Sequence, residues 1–251
     1  MTNPLERVLA FMRAGLARSA DAARPIAAGV VLSTPSMPAV WSANQIRVKD
    51  PLGYEALIAL ADEQLANFEY RHIVVEHQLV GPQLEPAFRA DGWKVEREVL
   101  MILTAAPDRR ADVSVVDEAD EEEWLGVMAR WYGEDPATHG DWVAQLVAHS
   151  RRDNRANRDR LLGVKSTDGA LVAITKLRVD GGTAQVEDVY TVPESRGRGY
   201  ARALVSRAAE LARSERHDLI FIVADDEDWP QQLYARLGFR PEGRVWDFHR
   251  G

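Results

Sequence analysis

A chain of 251 residues can bury one large hydrophobic core or two small ones. Its 46% hydrophobic and 28% charged residues are those of a globular protein, and no run approaches the about 18 apolar residues needed to span a bilayer. The absence of cysteine removes disulfides, thiolate metal sites and a cysteine nucleophile, a formal charge of -8 argues against general nucleic-acid binding, and no basic-then-apolar leader is seen, so a cytoplasmic protein is expected.

Asn3-Pro4-Leu5-Glu6 has the capping residue, first-turn proline and acidic third position of a helix start. The stripe Leu5, Val8, Leu9, Met12 and Leu16 carries that helix from Pro4 to about Ala20. Residues 21–37 are small, proline-dotted and aperiodic, which predicts loops with at most a short strand over 29–32. Strands are predicted at 45–48, 72–76 and 95–104, and helices at 53–68 and 82–90. Pro107-Asp108-Arg109-Arg110 is polar and turn-forming, a natural boundary.

Beyond it the pattern predicts a strand at 112–116, helices at 121–132 and 142–150, and a loop at 133–140. Residues 161–165, 171–179 and 185–192 form an antiparallel meander, with turns at Thr167-Asp168-Gly169 and Asp180-Gly181-Gly182. After Pro193, Ala201, Leu204, Val205, Ala208, Leu211 and Ala212 recur at three and four, one face of a helix. Leu219 to Ala224 is an unbroken apolar run, as for a buried parallel strand, and a last strand lies near 244–249.

The turn between strand 185–192 and its helix is Arg196-Gly197-Arg198-Gly199-Tyr200-Ala201. Two glycines let the backbone approach a ligand and turn several N–H groups toward one anion, at a helix start whose first-turn amides and dipole already favour phosphate. Downstream, Leu233-Tyr234-Ala235-Arg236-Leu237-Gly238-Phe239 closes a short helix with glycine. The first segment resembles the R/Q-x-x-G-x-G/A acetyl-CoA loop of the GNAT superfamily of N-acetyltransferases, and the second resembles that family's L-Y-x-x-x-G-F segment. The resemblance implies an α/β (α+β) fold, a GNAT-like mixed central sheet flanked by helices. Phe88-Arg89-Ala90-Asp91-Gly92-Trp93 lies over Tyr234 to Phe239 with the same step from aromatic to glycine, so a tandem of two GNAT-like halves is expected. Residues 1–107 would be a degenerate half with no acetyl-CoA loop and with Phe88 in place of a tyrosine; residues 108–251 would be the complete domain.

The resemblance implies acetyl-CoA as donor, its pyrophosphate on Arg196, Gly197, Arg198, Gly199, Tyr200, Ala201 and Arg202, and its pantetheine arm along the backbone of Val189, Tyr190 and Thr191. It implies Tyr234 as the acid that protonates the leaving thiolate. Glu187 is the chosen base; Asp188, on the opposite face of an unbroken strand, replaces it if the strand bulges. Trp131, Tyr132, His139 and Trp142 could touch the acceptor, a primary amine of a small molecule or peptide, although core packing is the commoner role of large aromatics. The acidic run Asp225, Asp226, Glu227, Asp228 could attract an amine or form a solvated loop. The histidines show no ligand spacing, so no metal is expected. A monomer or homodimer is expected, without nucleic acid or membrane. The alternatives are a non-catalytic acyl-CoA-binding module on the same fold and, more remotely, a nucleic-acid binder using Arg196 and Arg198.

Overall fold

The computed structural model describes residues 3–135 and 141–251. Two compact units are built from interleaved parts of the chain. The first comprises residues 1–100, 224–231 and 242–251, and the second residues 101–223 and 232–241.

The first unit begins with α1 (Pro4–Ser19), whose cap Asn3 accepts the Leu5 N–H at 2.9 Å and whose buried face carries Val8, Leu9 and Phe11. Then come β1 (Ala22–Ile26), β2 (Gly29–Ser33), β3 (Gln45–Val48), α2 (Tyr54–Gln64), β4 (Arg71–Val75), α3 (Gly81–Ala90) and β5 (Lys94–Leu103), whose last residues enter the second unit. β2 falls on the short strand expected at 29–32, while its hairpin partner β1 lies where loops were predicted. β1 leaves its side chains largely in solvent, so backbone pairing holds it and no alternation of apolar residues announces it. α2 stops short of Phe68 because Arg71 binds the carbonyls of Leu65, Phe68 and Tyr70 at 2.8–3.1 Å, giving a non-helical backbone its partners. β2 pairs antiparallel with β3, β3 parallel with β4, and β4 antiparallel with the final strand. Ile46, Ile73, Leu57, Phe88 and Phe248 fill the core, with the rings of Phe88 and Phe248 stacked at 4.1 Å.

The second unit holds β6 (Asp117–Glu118), α4 (Glu121–Tyr132), α5 (Asp141–Asn157), β7 (Arg160–Lys165), β8 (Leu171–Asp180), β9 (Thr183–Thr191), α6 (Tyr200–Ser214), most of β10 (Leu219–Asp225) and of α7 (Pro230–Arg236), and the start of β11 (Phe239–Arg250). Its strand order is β10-β9-β8-β7-β6, antiparallel except for the parallel pair β9–β10. The strand predicted at 112–116 is instead a 3-10 turn at Val113–Val115, because Asp112 Oδ1 caps the Ser114 N–H at 3.1 Å and winds the backbone. α5 runs seven residues beyond its predicted end at Ser150, to Asn157. Its inward face there is Asp153, Asn154 and Asn157, so the apolar stripe stops while the helix continues. α6 buries Leu204, Val205, Ala208 and Ala212 as its periodicity requires, packing on β8 and β9, while α4 packs on β8 through Trp124, Val127 and Met128. No described helix is long and apolar enough to cross a membrane.

Candidate active site

β9 and β10 run side by side only from Thr183/Leu219 to Val186/Ile222. β9 continues to Thr191, still paired with β8 through Tyr190–Ile174 and Thr191–Ala173, but without β10 along its other edge. The backbone of Val189, Tyr190 and Thr191 therefore borders a gap between two parallel strands, an edge able to pair with an extended guest. Thr191 Oγ1 is buried beside it with no hydrogen-bond partner.

From Thr191 the chain passes through the 3-10 turn Pro193–Ser195 to Gly197 and Gly199, whose φ angles of 79° and 85° lie in the region where L side chains are strained. A Cβ at either glycine would meet nothing within 4 Å, so it is this backbone turn, and no crowding by the protein, that demands glycine. Gly199 caps α6, and Ala203 donates the first helical bond, to the Gly199 carbonyl at 3.1 Å. The amides of Tyr200, Ala201 and Arg202 before it have no intrahelical acceptor, and the positive end of the helix dipole lies among them. Arg198 is exposed beside this turn.

The other two arginines are held by protein groups. Arg196 donates to the Thr191 carbonyl and to Glu134, both at 3.0 Å, with its guanidinium 5.7 Å from the Tyr190 ring. Arg202 is buried and ion-paired with Asp108 at 2.7 Å, so its backbone rather than its charge faces the turn. Tyr190 stacks on Trp131 at 5.1 Å and donates to Glu134 at 2.5 Å. Burial and that hydrogen bond push its phenol up to about 12, which keeps it a donor.

Asp188 breaks the alternation of β9. Its φ of 56° and the register shift opposite Ile174/Lys176 form a bulge, spanned by Thr175 Oγ1 donating to the Glu187 carbonyl at 2.8 Å. The expectation that Glu187 and Asp188 lie on opposite faces fails for this reason. Both carboxylates reach Lys176, at 3.4 and 2.9 Å.

Lys176 is the centre of a buried charge network. It contacts Asp153 at 3.0 Å and Asp159 at 3.7 Å as well, while Arg178 contacts Asp159 at 2.6 Å, Asp153, and Glu187 at 3.6 Å. Burial opposes the charge on Lys176, but Asp188, Glu187 and Asp153 outweigh it and hold the ammonium well above its ordinary value. Burial likewise opposes ionisation of Asp153; Lys176 and Arg178 reverse that and hold its carboxyl well below the usual range. Two cations thus face four carboxylates, and Glu187 Oε2 is enclosed without a hydrogen bond. The hydroxyls of Tyr132 and Ser150 meet at 2.8 Å, and burial lowers His149 within the fields of Asp153 and Lys176. Sequence reasoning missed Lys176, Arg178, Asp153 and His149; charged residues inside a predicted meander strand were the available signal.

Tyr234 is buried near the end of α7, its ring 6.4 Å from Phe239. Gly238, with φ at 98°, fixes that end. Its carbonyl accepts from Thr104 and Ala105 at 3.1 Å, and a Cβ on it would lie 2.2 Å from the Ala105 oxygen. Trp142 is about one-third exposed, and His139 lies outside the described residues. The acidic run has protein partners in the first unit: Asp225 caps the Glu227 N–H at 2.7 Å, Arg97 holds Glu227 at 2.6 Å, and Arg244 holds Asp226 at 2.9 Å.

Residues 118–239 match the acetyltransferase (GNAT) family. A mycothiol acetyltransferase of Beutenbergia cavernae is 32% identical over 244 residues, covering 79% of this chain and 81% of that protein. A second, from Clavibacter sepedonicus, is 29% identical over 126 residues, covering 48% of this chain and 40% of its own length. Among solved structures, a GCN5-related N-acetyltransferase from Kribbella flavida has a TM-score of 0.64 at 18% identity, covering 99% of this chain and 96% of its own. A tandem GNAT protein from the clavulanic acid biosynthesis pathway has a TM-score of 0.52 at 16% identity, covering 78% of this chain and 69% of its own.

Proposed function

The chain belongs to the GNAT acetyltransferase family, and from that premise we propose that it moves an acetyl group from acetyl-CoA to a primary amine by direct attack. The observation that carries this reading is the combination of parted parallel strands with a left-handed glycine turn heading a helix. The amides of 197–202 suit a pyrophosphate, and Arg198 adds a cation that no carboxylate among the described residues engages. The edge of Val189 to Thr191, which β10 leaves unpaired and where Arg196 holds the Thr191 carbonyl, suits the amide-bearing pantetheine arm, and a main-chain N–H at such an edge can polarise a thioester carbonyl. Residues 1–107 would then be the degenerate half and 108–251 the catalytic one.

Acetyl transfer to a neutral amine forms a C–N bond, breaks the C–S bond, removes a proton from nitrogen and delivers one to the sulfur; an acceptor that arrives as an ammonium first releases one further proton to solvent. We assign the delivery to the Tyr234 hydroxyl and the removal to Glu187 and, despite the bulge, not to Asp188, because Asp188 stands 2.9 Å from the Lys176 ammonium whereas Glu187 Oε2, 3.4 Å from it, lacks a hydrogen bond. The excess of carboxylate over cation around Lys176 suits an acceptor that arrives as an ammonium. The names of the two curated relatives make a mycothiol-type substrate the first amine to try.

Gly199→Val is the direct test, because a Cβ there meets nothing within 4 Å and the substitution strains the left-handed turn itself. Calorimetry should show coenzyme A affinity falling at least about tenfold, the loss of about 1.4 kcal/mol or more of binding, with the far-UV circular dichroism retained. Unchanged affinity would remove the pocket from this site. Thiol release from acetyl-CoA across an amine panel separates turnover from mere binding.

A further inference from the structure

In the first unit, β4 and β11 are antiparallel with His72 directly opposite His249, and Asp247 lies two residues along β11 on the same face. One donor atom from each residue lies within 4.8 Å of the other two. We propose that His72, Asp247 and His249 bind a divalent transition-metal ion, with Zn2+ the best match to two imidazoles and one carboxylate.

The hydrogen bonding leads to this. His72 Nδ1 is 3.0 Å from the Trp41 carbonyl, which can only accept, so Nδ1 carries the proton. Its Nε2 then presents a lone pair to a carboxylate oxygen of Asp247 at 2.8 Å, and two acceptors at that distance require a positive centre between them. On the other side, His249 Nδ1 stands 3.4 Å from Asp247 Oδ1, which is buried and has no hydrogen-bond partner. A proton on His72 answers the first contact and one on His249 Nδ1 the second, whereas a metal ion answers all three residues with one centre.

A tetrahedral ion with bonds of about 2.0–2.1 Å keeps its ligands about 3.3 Å apart; the His249–Asp247 contact is 3.4 Å, and the His72–Asp247 contact of 2.8 Å has to open by about 0.5 Å around the ion. An imidazole whose second nitrogen is fixed by a backbone carbonyl is the usual state of a zinc-ligating histidine. Arg47, whose charge acts on His72, is engaged by Glu76 at 2.8 Å and leaves Asp247 as the counter-charge. Asp247 and His249 keep side-chain exposures of 20% and 13%, enough for water at a fourth position. These three residues belong to the first unit and take no part in the acetyl-transfer reading, so the site would be structural or serve a separate reaction.

The test uses the full chain after chelation and dialysis, titrated with Co2+ as the spectroscopic probe and then with Zn2+. The expected result is a one-to-one tetrahedral Co2+ absorption band, displaced by Zn2+, with a Zn2+-dependent rise in melting temperature. His249→Ala should weaken binding about 100-fold or more and abolish the thermal shift. Asp247→Asn should do the same, with circular dichroism showing that each variant is folded. Absence of both the band and the shift in the wild-type chain would overturn the proposal. So would equal binding by His249→Ala, which would assign the ion to other histidines.

Discussion

Lys176 and Asp153 show what one buried residue can decide. Each is enclosed, and each stays charged only because the other and their neighbours are ionised. Asp153→Asn removes a carboxylate shared by Lys176 and Arg178, and taking one member from a buried pair costs about 3–5 kcal/mol. The sign of the pH dependence follows from the direction of the shift. Because the folded pKa of Asp153 lies below its unfolded value near 3.8, its contribution is complete above about pH 5 and fades as the pH falls through 4 and below. Urea melts from pH 7 to pH 3 should therefore show a shallower acid loss in Asp153→Asn than in the wild type, and parallel acid limbs would refute the assignment. Tyr234 is decided by its hydroxyl alone, since Tyr234→Phe keeps the buried ring beside Phe239. Steady-state kinetics should show kcat reduced about 100-fold or more with the KM for acetyl-CoA little changed. A purely structural tyrosine would leave kcat intact.

At the scale of elements, β9 does the positioning. Its sequence reads as a strand because Val186, Val189, Tyr190 and Thr191 favour one, but nothing in Glu187-Asp188-Val189 announces the bulge, since Asp188 takes the left-handed turn without a glycine. The same blindness hid the end of α5, whose inward residues are polar, and the β1–β2 hairpin, which pairs through backbone. Elements whose burial is apolar were legible, notably α1, α6 and β10, and so was the glycine turn, because its requirement is conformational. The His72 cluster was not, since strand register rather than sequence spacing brings its residues together. The parting of β9 from β10 has a measurable counterpart. Amides of residues 187–191 that point away from β8 should exchange with deuterium faster than those of 183–186, and coenzyme A should slow them selectively. Protection already equal without coenzyme A would mean that the strands are closed there.

The path of the whole chain limits how it can be divided. β11 begins in the second unit at Phe239 and ends in the first, where residues 246–250 pair with 71–75 of β4. A cut at the polar boundary near Pro107 therefore separates Val245, Trp246 and Phe248 from the core they fill, although all three are under 5% exposed in the intact chain. It leaves the fragment 108–251 with an unpaired apolar strand, the kind of edge that recruits other chains. The fragment 1–107 loses the strand against which β4 and Phe88 pack. Expressed alone, 108–251 should aggregate or elute as large oligomers in size-exclusion chromatography, even though it carries the glycine turn, the charge network and Tyr234. Co-expression with 1–107 should restore a soluble complex that binds coenzyme A, because the missing β4–β11 ladder can form between the fragments. A soluble, active 108–251 fragment would show that the pairing of the final strand with β4 is dispensable to the second unit.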